Sequence, residues 1–211
     1  MPTPLTAQTF KSGLRALSRR DPALSRIVKD FGPPPMWNRR PGFPTLLHII
    51  LEQQVSLASA RAAFDRLRAA ASPLTPARFL ELDDATLKAI GFSRQKTAYG
   101  RHLAQSIVNG HFRLAALNRM DDATARAELL KLKGIGPWTA DIYLLMALRR
   151  PDVWPSGDLA LALAVQRVKR LPSRPTPDEL DAIGAAWRPW RAVAARVLWH
   201  YYLSQRGKSD S

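Results

Sequence analysis

The chain has 211 residues, 46% of them hydrophobic, which is enough to bury the core of one large domain or two small ones. Its 32 Lys and Arg against 17 Asp and Glu leave a formal charge of +15, so a polyanion is the expected partner, nucleic acid first and a membrane surface second. The absence of cysteine excludes disulfides, thiolate nucleophiles, zinc ribbons and cysteine-ligated iron-sulfur clusters.

The first residues, Met1 to Thr6, carry no basic-then-apolar signal, and the longest apolar runs, Ile142 to Leu148 and Leu159 to Val165, are too short to span a bilayer. A soluble intracellular protein is the expectation. His48, His102, His111 and His200 never reach His-x-x-x-His spacing, which argues against a histidine-rich metal site. Alternating β-branched patterns are missing, while Ala, Leu, Arg and Lys fill the periodic stretches, so the fold reads as all-α.

In chain order, Phe10, Leu14 and Leu17 mark a first helix, and Asp21-Pro22 caps a second whose face is Leu24, Ile27, Val28 and Phe31 before Gly32. A proline-rich loop runs from Pro33 to Pro44, with Trp37 read as covering core. Thr45 to Val55 and Ser56 to Ala71 read as two helices, or as one interrupted, around Gln53 and Gln54. Two adjacent glutamines cannot share one helical face, so a helix end would let both project to a partner, although simple surface polarity would equally account for them. Thr75-Pro76 and Asp83 start short helices, and Arg94 to Asn109 makes a longer one ending at Gly110.

Asp121 then caps a helix through Ala127, Leu129, Leu130 and Leu132, and Thr139 to Leu148 continues a helical period after Pro137. Between them Lys133-Gly134-Ile135-Gly136 forms a hairpin. Both glycines can take positive φ and bring backbone close to a ligand, and the free N–H groups of the second helix suit an anion. Leu87-Lys88-Ala89-Ile90-Gly91 echoes the hairpin with Ala89 in place of the first glycine, and two such short copies do not establish a repeat architecture. Arg149-Arg150-Pro151 stops the run. Asp158 can cap the next helix, through Leu159, Leu161, Val165 and Val168, and capping alone would explain it. Thr176-Pro177 opens another helix, and Trp187-Arg188-Pro189-Trp190 precedes the last, which carries Val193, Val197, Trp199 and Tyr202.

Leu132-Lys133-Gly134-Ile135-Gly136-Pro137-Trp138-Thr139-Ala140-Asp141, followed at a fixed distance by Asp158, resembles the helix-hairpin-helix DNA glycosylase superfamily, closest to its 3-methyladenine DNA glycosylase II, or AlkA-type, branch. Ile49-Ile50-Leu51-Glu52-Gln53-Gln54-Val55-Ser56 is similar to the segment carrying its DNA wedge, and Trp187-Arg188-Pro189-Trp190-Arg191 with Trp199 to its C-terminal signature. The resemblance implies two helical subdomains with the active site in the cleft between them, roughly residues 45–160 forming one and 1–44 with 161–211 the other; the chain departs from the branch in leaving no room for its optional N-terminal β-rich domain.

It further implies Asp158 as catalytic carboxylate, Trp138, Trp199 and Ile142 as base-pocket residues, Gln54 with Gln53 as the wedge, and Gly134, Gly136, Thr139 and Lys133 as phosphate contacts. A structural Na+ or K+ at the backbone oxygens of Leu130, Leu132 and Ile135 is implied, with no catalytic metal and no other cofactor. Asp141 is placed in a supporting role. On periodicity alone Trp138, Trp199 and Tyr143 read as core. Trp138 stands where lyase members carry a Schiff-base lysine, and Ile142 where the alkylation branch has a pocket tyrosine.

The implied activity is therefore a monofunctional DNA glycosylase of base excision repair, acting as a monomer on double-stranded DNA. It would flip and hydrolytically release 3-methyladenine and 7-methylguanine, with 1-methyladenine and 3-methylcytosine as an extension for a wider pocket, and leave an abasic site. A cytoplasmic location follows, with the nucleoid if bacterial or the nucleus if eukaryotic. Rival readings are a helix-hairpin-helix protein that only holds DNA, and a uracil or mismatch glycosylase.

Overall fold

The structure, a computed structural model, describes residues 3–209, and among these no strand is present. Twelve α-helices follow one another: α1 Ala7–Arg20, α2 Pro22–Phe31, α3 Phe43–Glu52, α4 Leu57–Ala70, α5 Pro76–Glu81, α6 Asp84–Ile90, α7 Arg94–Val108, α8 Asp122–Leu130, α9 Pro137–Ile142, α10 Leu159–Lys169, α11 Pro177–Gly184 and α12 Arg191–Ser209. The predicted caps set their starts. Asp21, Ser56, Thr75, Asp83, Asp121, Asp158 and Thr176 each accept a backbone N–H from the first turn of the helix that follows.

Contacts divide the chain into two compact units, one continuous over Arg39–Tyr143 and one made of the residues up to Asn38 with those from Leu144 on. The boundary thus falls at Tyr143/Leu144 and not near residue 160, which puts Asp158 and the start of α10 in the second unit. In the first unit α3 is central and packs on α4, α7 and α9. Leu46, Leu47, Ile49, Ile50 and Leu51 are all buried, as expected of a helix apolar on every side. Its end departs from the sequence reading. The helix stops at Glu52, because Gln53 is extended and Gln54 adopts a left-handed φ of 58°, so the stretch to Val55 is a turn.

The second unit is built around α12, which packs on α1, α2 and α10. Val193, Ala194, Ala195, Val197 and Leu198 are buried all round it. Arg196 is fully buried on the same helix, and its guanidinium donates to the carbonyls of Met36 (2.7 Å), Ala192 (2.9 Å) and Leu145 (2.9 Å). Burial pushes its pKa down to about 10, which leaves it charged at neutral pH. Leu145 belongs to a π-helical turn, Tyr143–Ala147, that replaces the predicted continuation of the helix to Leu148. The wider turn changes the carbonyl pattern, and Arg196 satisfies one of the oxygens involved. Trp37 is half-buried and its ring packs 6.4 Å from that of His200.

Candidate active site

The hairpin lies in the Arg39–Tyr143 unit. After α8 ends, the Leu132 N–H bonds the Leu129 carbonyl and the Ile135 N–H bonds the Leu132 carbonyl at 3.0 Å. Gly134 has φ +87°, and a Cβ there would sit 2.1 Å from the Tyr99 ring, so both backbone and packing require glycine. Gly136 is different. Its backbone is extended at φ −89°, and a Cβ would meet nothing within 4 Å. The expectation of positive φ thus holds at Gly134 and fails at Gly136, which keeps open space in front of α9 instead. Early N–H groups of α9 have no acceptor within the helix, and Lys133 is exposed nearby in sequence.

Thr139 is 2% exposed, and its hydroxyl accepts a hydrogen bond from Gln53 Nε2 at 2.9 Å. The same Gln53 amide donates to the Gly134 carbonyl, also at 2.9 Å. Two sequence assignments change in consequence. The Thr139 side chain faces the interior, so only its backbone N–H suits a phosphate, and the Gln53 amide braces the hairpin where projection outward as a wedge was expected.

Gln54 is exposed, as are Val55 and Leu57 beside it. The end of α3 that carries this turn is held by Arg39, whose guanidinium grips Glu52 at 2.7 and 2.9 Å, and by Lys96 Nζ, which donates to the Leu51 carbonyl at 2.7 Å. Partial burial lowers the Lys96 pKa.

Trp138 is half-buried at the start of α9, and Ile142 is 2% exposed at its end, packed in the core of this unit. Asp141 is buried and takes both ends of the Arg126 guanidinium, at 2.7 and 3.3 Å, which ties α9 to α8. Tyr143 is buried, and its hydroxyl accepts the Gly42 N–H at 3.1 Å. Burial pushes its pKa up to about 12, so it stays neutral.

Asp158 and Trp199 belong to the other unit, and they meet there. Asp158 Oδ1 accepts the Leu161 N–H at 2.7 Å, as the N-cap of α10, and Trp199 Nε1 at 3.0 Å. Two donors on one oxygen fix the carboxylate plane while the residue stays half-buried, and Trp199 is buried on α12. A carboxylate held in this way can face a developing positive charge or orient a water.

The chain carries the wedge-like turn, the glycine hairpin and the capped aspartate in one order, and a profile of the HhH-GPD superfamily, base excision DNA repair proteins, matches residues 47–189. The chain belongs to this superfamily. Its relatives include DNA-3-methyladenine glycosylase 1 of Schizosaccharomyces pombe, 27% identical over 197 residues that cover 92% of this chain and 85% of that protein. A putative DNA-3-methyladenine glycosylase of Bacillus subtilis is 33% identical over 124 residues, 59% of this chain. This chain matches only 43% of that relative's length. The solved S. pombe 3-methyladenine DNA glycosylase in complex with abasic DNA superposes with a TM-score of 0.82 at 26% identity, covering 89% of this chain and 95% of that one. In this HhH-GPD member no group of His, Asp or Glu among the described residues could hold a metal ion, and no described helix is long and apolar enough to cross a membrane.

The monovalent ion that the superfamily resemblance implies is a different matter, because its donors would be backbone carbonyls. Leu130 closes α8, where the last carbonyls lack partners within the helix, and the Leu132 carbonyl accepts one N–H and keeps a second lone pair. Neutral oxygen donors of this kind fit Na+ or K+ in type.

Several residues that hold the turn after α3, the hairpin and, in the other unit, α12 in place were not found from the sequence. Arg39, Tyr99, Lys96 and Arg196 act through packing and hydrogen bonds to residues far along the chain. Glu52 within an apolar run was the one available signal, since a buried carboxylate demands a partner.

Proposed function

We propose that this protein is a monofunctional DNA glycosylase that removes alkylated bases from double-stranded DNA. The observation that carries the reading is Asp158, held on one oxygen by the α10 N-terminus and by Trp199. The names of its relatives, DNA-3-methyladenine glycosylases, support the substrate class, and a related structure with abasic DNA supports the partner.

In this reading Gly136 and the first N–H groups of α9 bind a phosphate, Lys133 adds charge, and Gln54 fills the space left by the extruded nucleotide. An alkylated purine such as 3-methyladenine or 7-methylguanine is already cationic. Cleavage of its N-glycosidic bond sends the bonding electrons to the base, which leaves neutral, and positive charge develops on the sugar beside the Asp158 carboxylate. Water adds at the sugar carbon and loses a proton, leaving an abasic site. Trp138, half-buried at the start of α9, offers an aromatic face to a cationic base, an attraction of about 0.5 to 2 kcal/mol depending on desolvation. Ile142, where an aromatic pocket residue was expected, is packed in the core, so it can relax the pocket only by leaving out that ring, and 1-methyladenine and 3-methylcytosine remain the candidates for a wider pocket. With Trp138 where a Schiff-base lysine would stand, the product strand stays uncut.

A Na+ or K+ at the carbonyls of Leu130, Leu132 and Ile135 would add positive charge where the phosphate binds. The protein acts as an intracellular monomer in this reading.

The test is Asp158→Asn assayed for release of 7-methylguanine from duplex DNA alongside binding to that DNA. Release is expected to fall by at least about a hundredfold with binding retained. Unchanged release would remove Asp158 from the chemistry, a wild type that binds the DNA without releasing the base would favour a protein that only holds DNA, and strand cutting by the wild type would overturn its monofunctional character.

A further inference from the structure

Gln53 and Gln54 are neighbours in sequence, yet they do opposite things. Gln54 is exposed on a left-handed backbone, a conformation that is costly for a residue with a Cβ and persists only where the surroundings enforce it. Gln53 turns inward and uses the donors of its amide on the Gly134 carbonyl and the Thr139 hydroxyl, one on each side of Gly136. Arg39 and Lys96 secure the end of α3, whereas Gln53 links the turn that follows it directly to the hairpin. The Tyr99 ring also lies against Gly134, so the loop has little room to shift there.

We propose that Gln53 is a positioning residue that locks the Gln54 turn to the hairpin, so that a phosphate docked at Gly136 sets where Gln54 enters the duplex. The proposal rests on the base-flipping glycosylase reading given above. A wedge acts only if it meets the helix at the position of the damaged nucleotide, and a misplacement of about 1 Å is enough to cost a large factor in rate. Binding of the phosphate backbone, by contrast, depends on the hairpin and on charge. Loss of the Gln53 brace should therefore leave general DNA affinity in place and weaken the step that needs the wedge.

The full chain is compared as wild type, Gln53→Met, Gln54→Ala and the double variant. Single-turnover release of 7-methylguanine at saturating enzyme is measured beside affinity for undamaged duplex. Methionine keeps the length of glutamine and removes its amide, and with it the donors to Gly134 and Thr139. Gln53→Met is expected to slow release about tenfold, in line with the loss of two ordinary hydrogen bonds, with affinity for undamaged DNA within about twofold of wild type. The decisive comparison is the double variant, which should be no slower than Gln54→Ala alone, since a brace has nothing left to position once the wedge is gone. Losses that multiply, or a Gln53→Met protein as fast as wild type, would overturn the proposal.

Thr139→Val, which removes one acceptor at constant shape, gives an independent route should Gln53→Met fold poorly. Part of the same loss, again absent in the Gln54→Ala background, is expected, and a rate equal to wild type would overturn the coupling. A wild-type protein that releases no methylated base would overturn the glycosylase reading and this proposal with it, whereas an active wild type with an equally active Gln53→Met would overturn this proposal alone.

Discussion

Asp158 shows how a helix cap and a candidate catalytic group can be the same atoms. Its Oδ1 stops the fraying of α10 through the Leu161 N–H, and the same oxygen is aimed by the Trp199 indole. Trp199→Phe separates these roles. It keeps an aromatic ring and the cap but removes one hydrogen bond to a carboxylate, a loss of about 1.5 to 3 kcal/mol, or roughly ten- to a hundredfold in excision. Binding of undamaged DNA should be unchanged, and a variant with full excision activity would mean that the indole bond does not orient the carboxylate. At this scale the sequence was informative where one residue's chemistry decides its place. Asp158 reads as a cap from the helical pattern after it, but nothing local reveals the indole contributed from far along the chain. Gln53 is the opposite case, because an amide looks the same in a sequence whether it faces DNA or the interior, and only the tertiary position of Thr139 decides.

The hairpin element divides the work of its two glycines. Gly134 serves the fold, with its left-handed backbone and the Tyr99 ring where a Cβ would go, while Gly136 has ordinary extended backbone and open space before it. Gly134→Ala should accordingly destabilise the protein, by about 1 to 3 kcal/mol or more from strain and overlap together, read as a lower melting temperature. Gly136→Ala should melt like the wild type and, if the proposed phosphate docks there, lose affinity for DNA, because its methyl group would occupy that open space. Equal melting temperatures and equal affinities for the two variants would refute this division. Caps and prolines made the starts of the helices legible, and the hairpin was visible as Gly-x-Gly between two periodic runs. A break around Gln53 and Gln54 was legible too, but its left-handed geometry was not, since Gln54 takes a backbone conformation that its side chain does not advertise. The π-helical turn at Tyr143–Ala147 was missed for a similar reason, as the apolar period continues through it and one of its carbonyls, that of Leu145, is bonded by Arg196 from another helix.

At the scale of the whole molecule, the boundary at Tyr143/Leu144 lies inside an unbroken apolar run, where periodicity cannot mark a change of unit and only tertiary contacts do. Net charge, in contrast, was legible from composition alone, and it makes its own prediction. The +15 charge need not all face DNA, and the part that does is counted by salt. Each phosphate neutralised contributes a slope of about −0.9 to the logarithm of affinity against the logarithm of salt concentration. If about five phosphates are engaged, a fourfold rise in salt weakens binding by roughly 500-fold. Lys133→Ala should flatten that slope by about one unit, because Lys133 is an exposed cation next to Gly134 and adds charge without reading sequence. Single-turnover excision at saturating enzyme should stay constant across the same salt range, since the Asp158 contacts lie in hydrogen bonds within one unit and screening acts mainly on exposed charges. A flat affinity curve would detach the charge from DNA binding, and an excision rate that falls with salt at saturation would mean that phosphate contacts enter the chemical step as well as the docking.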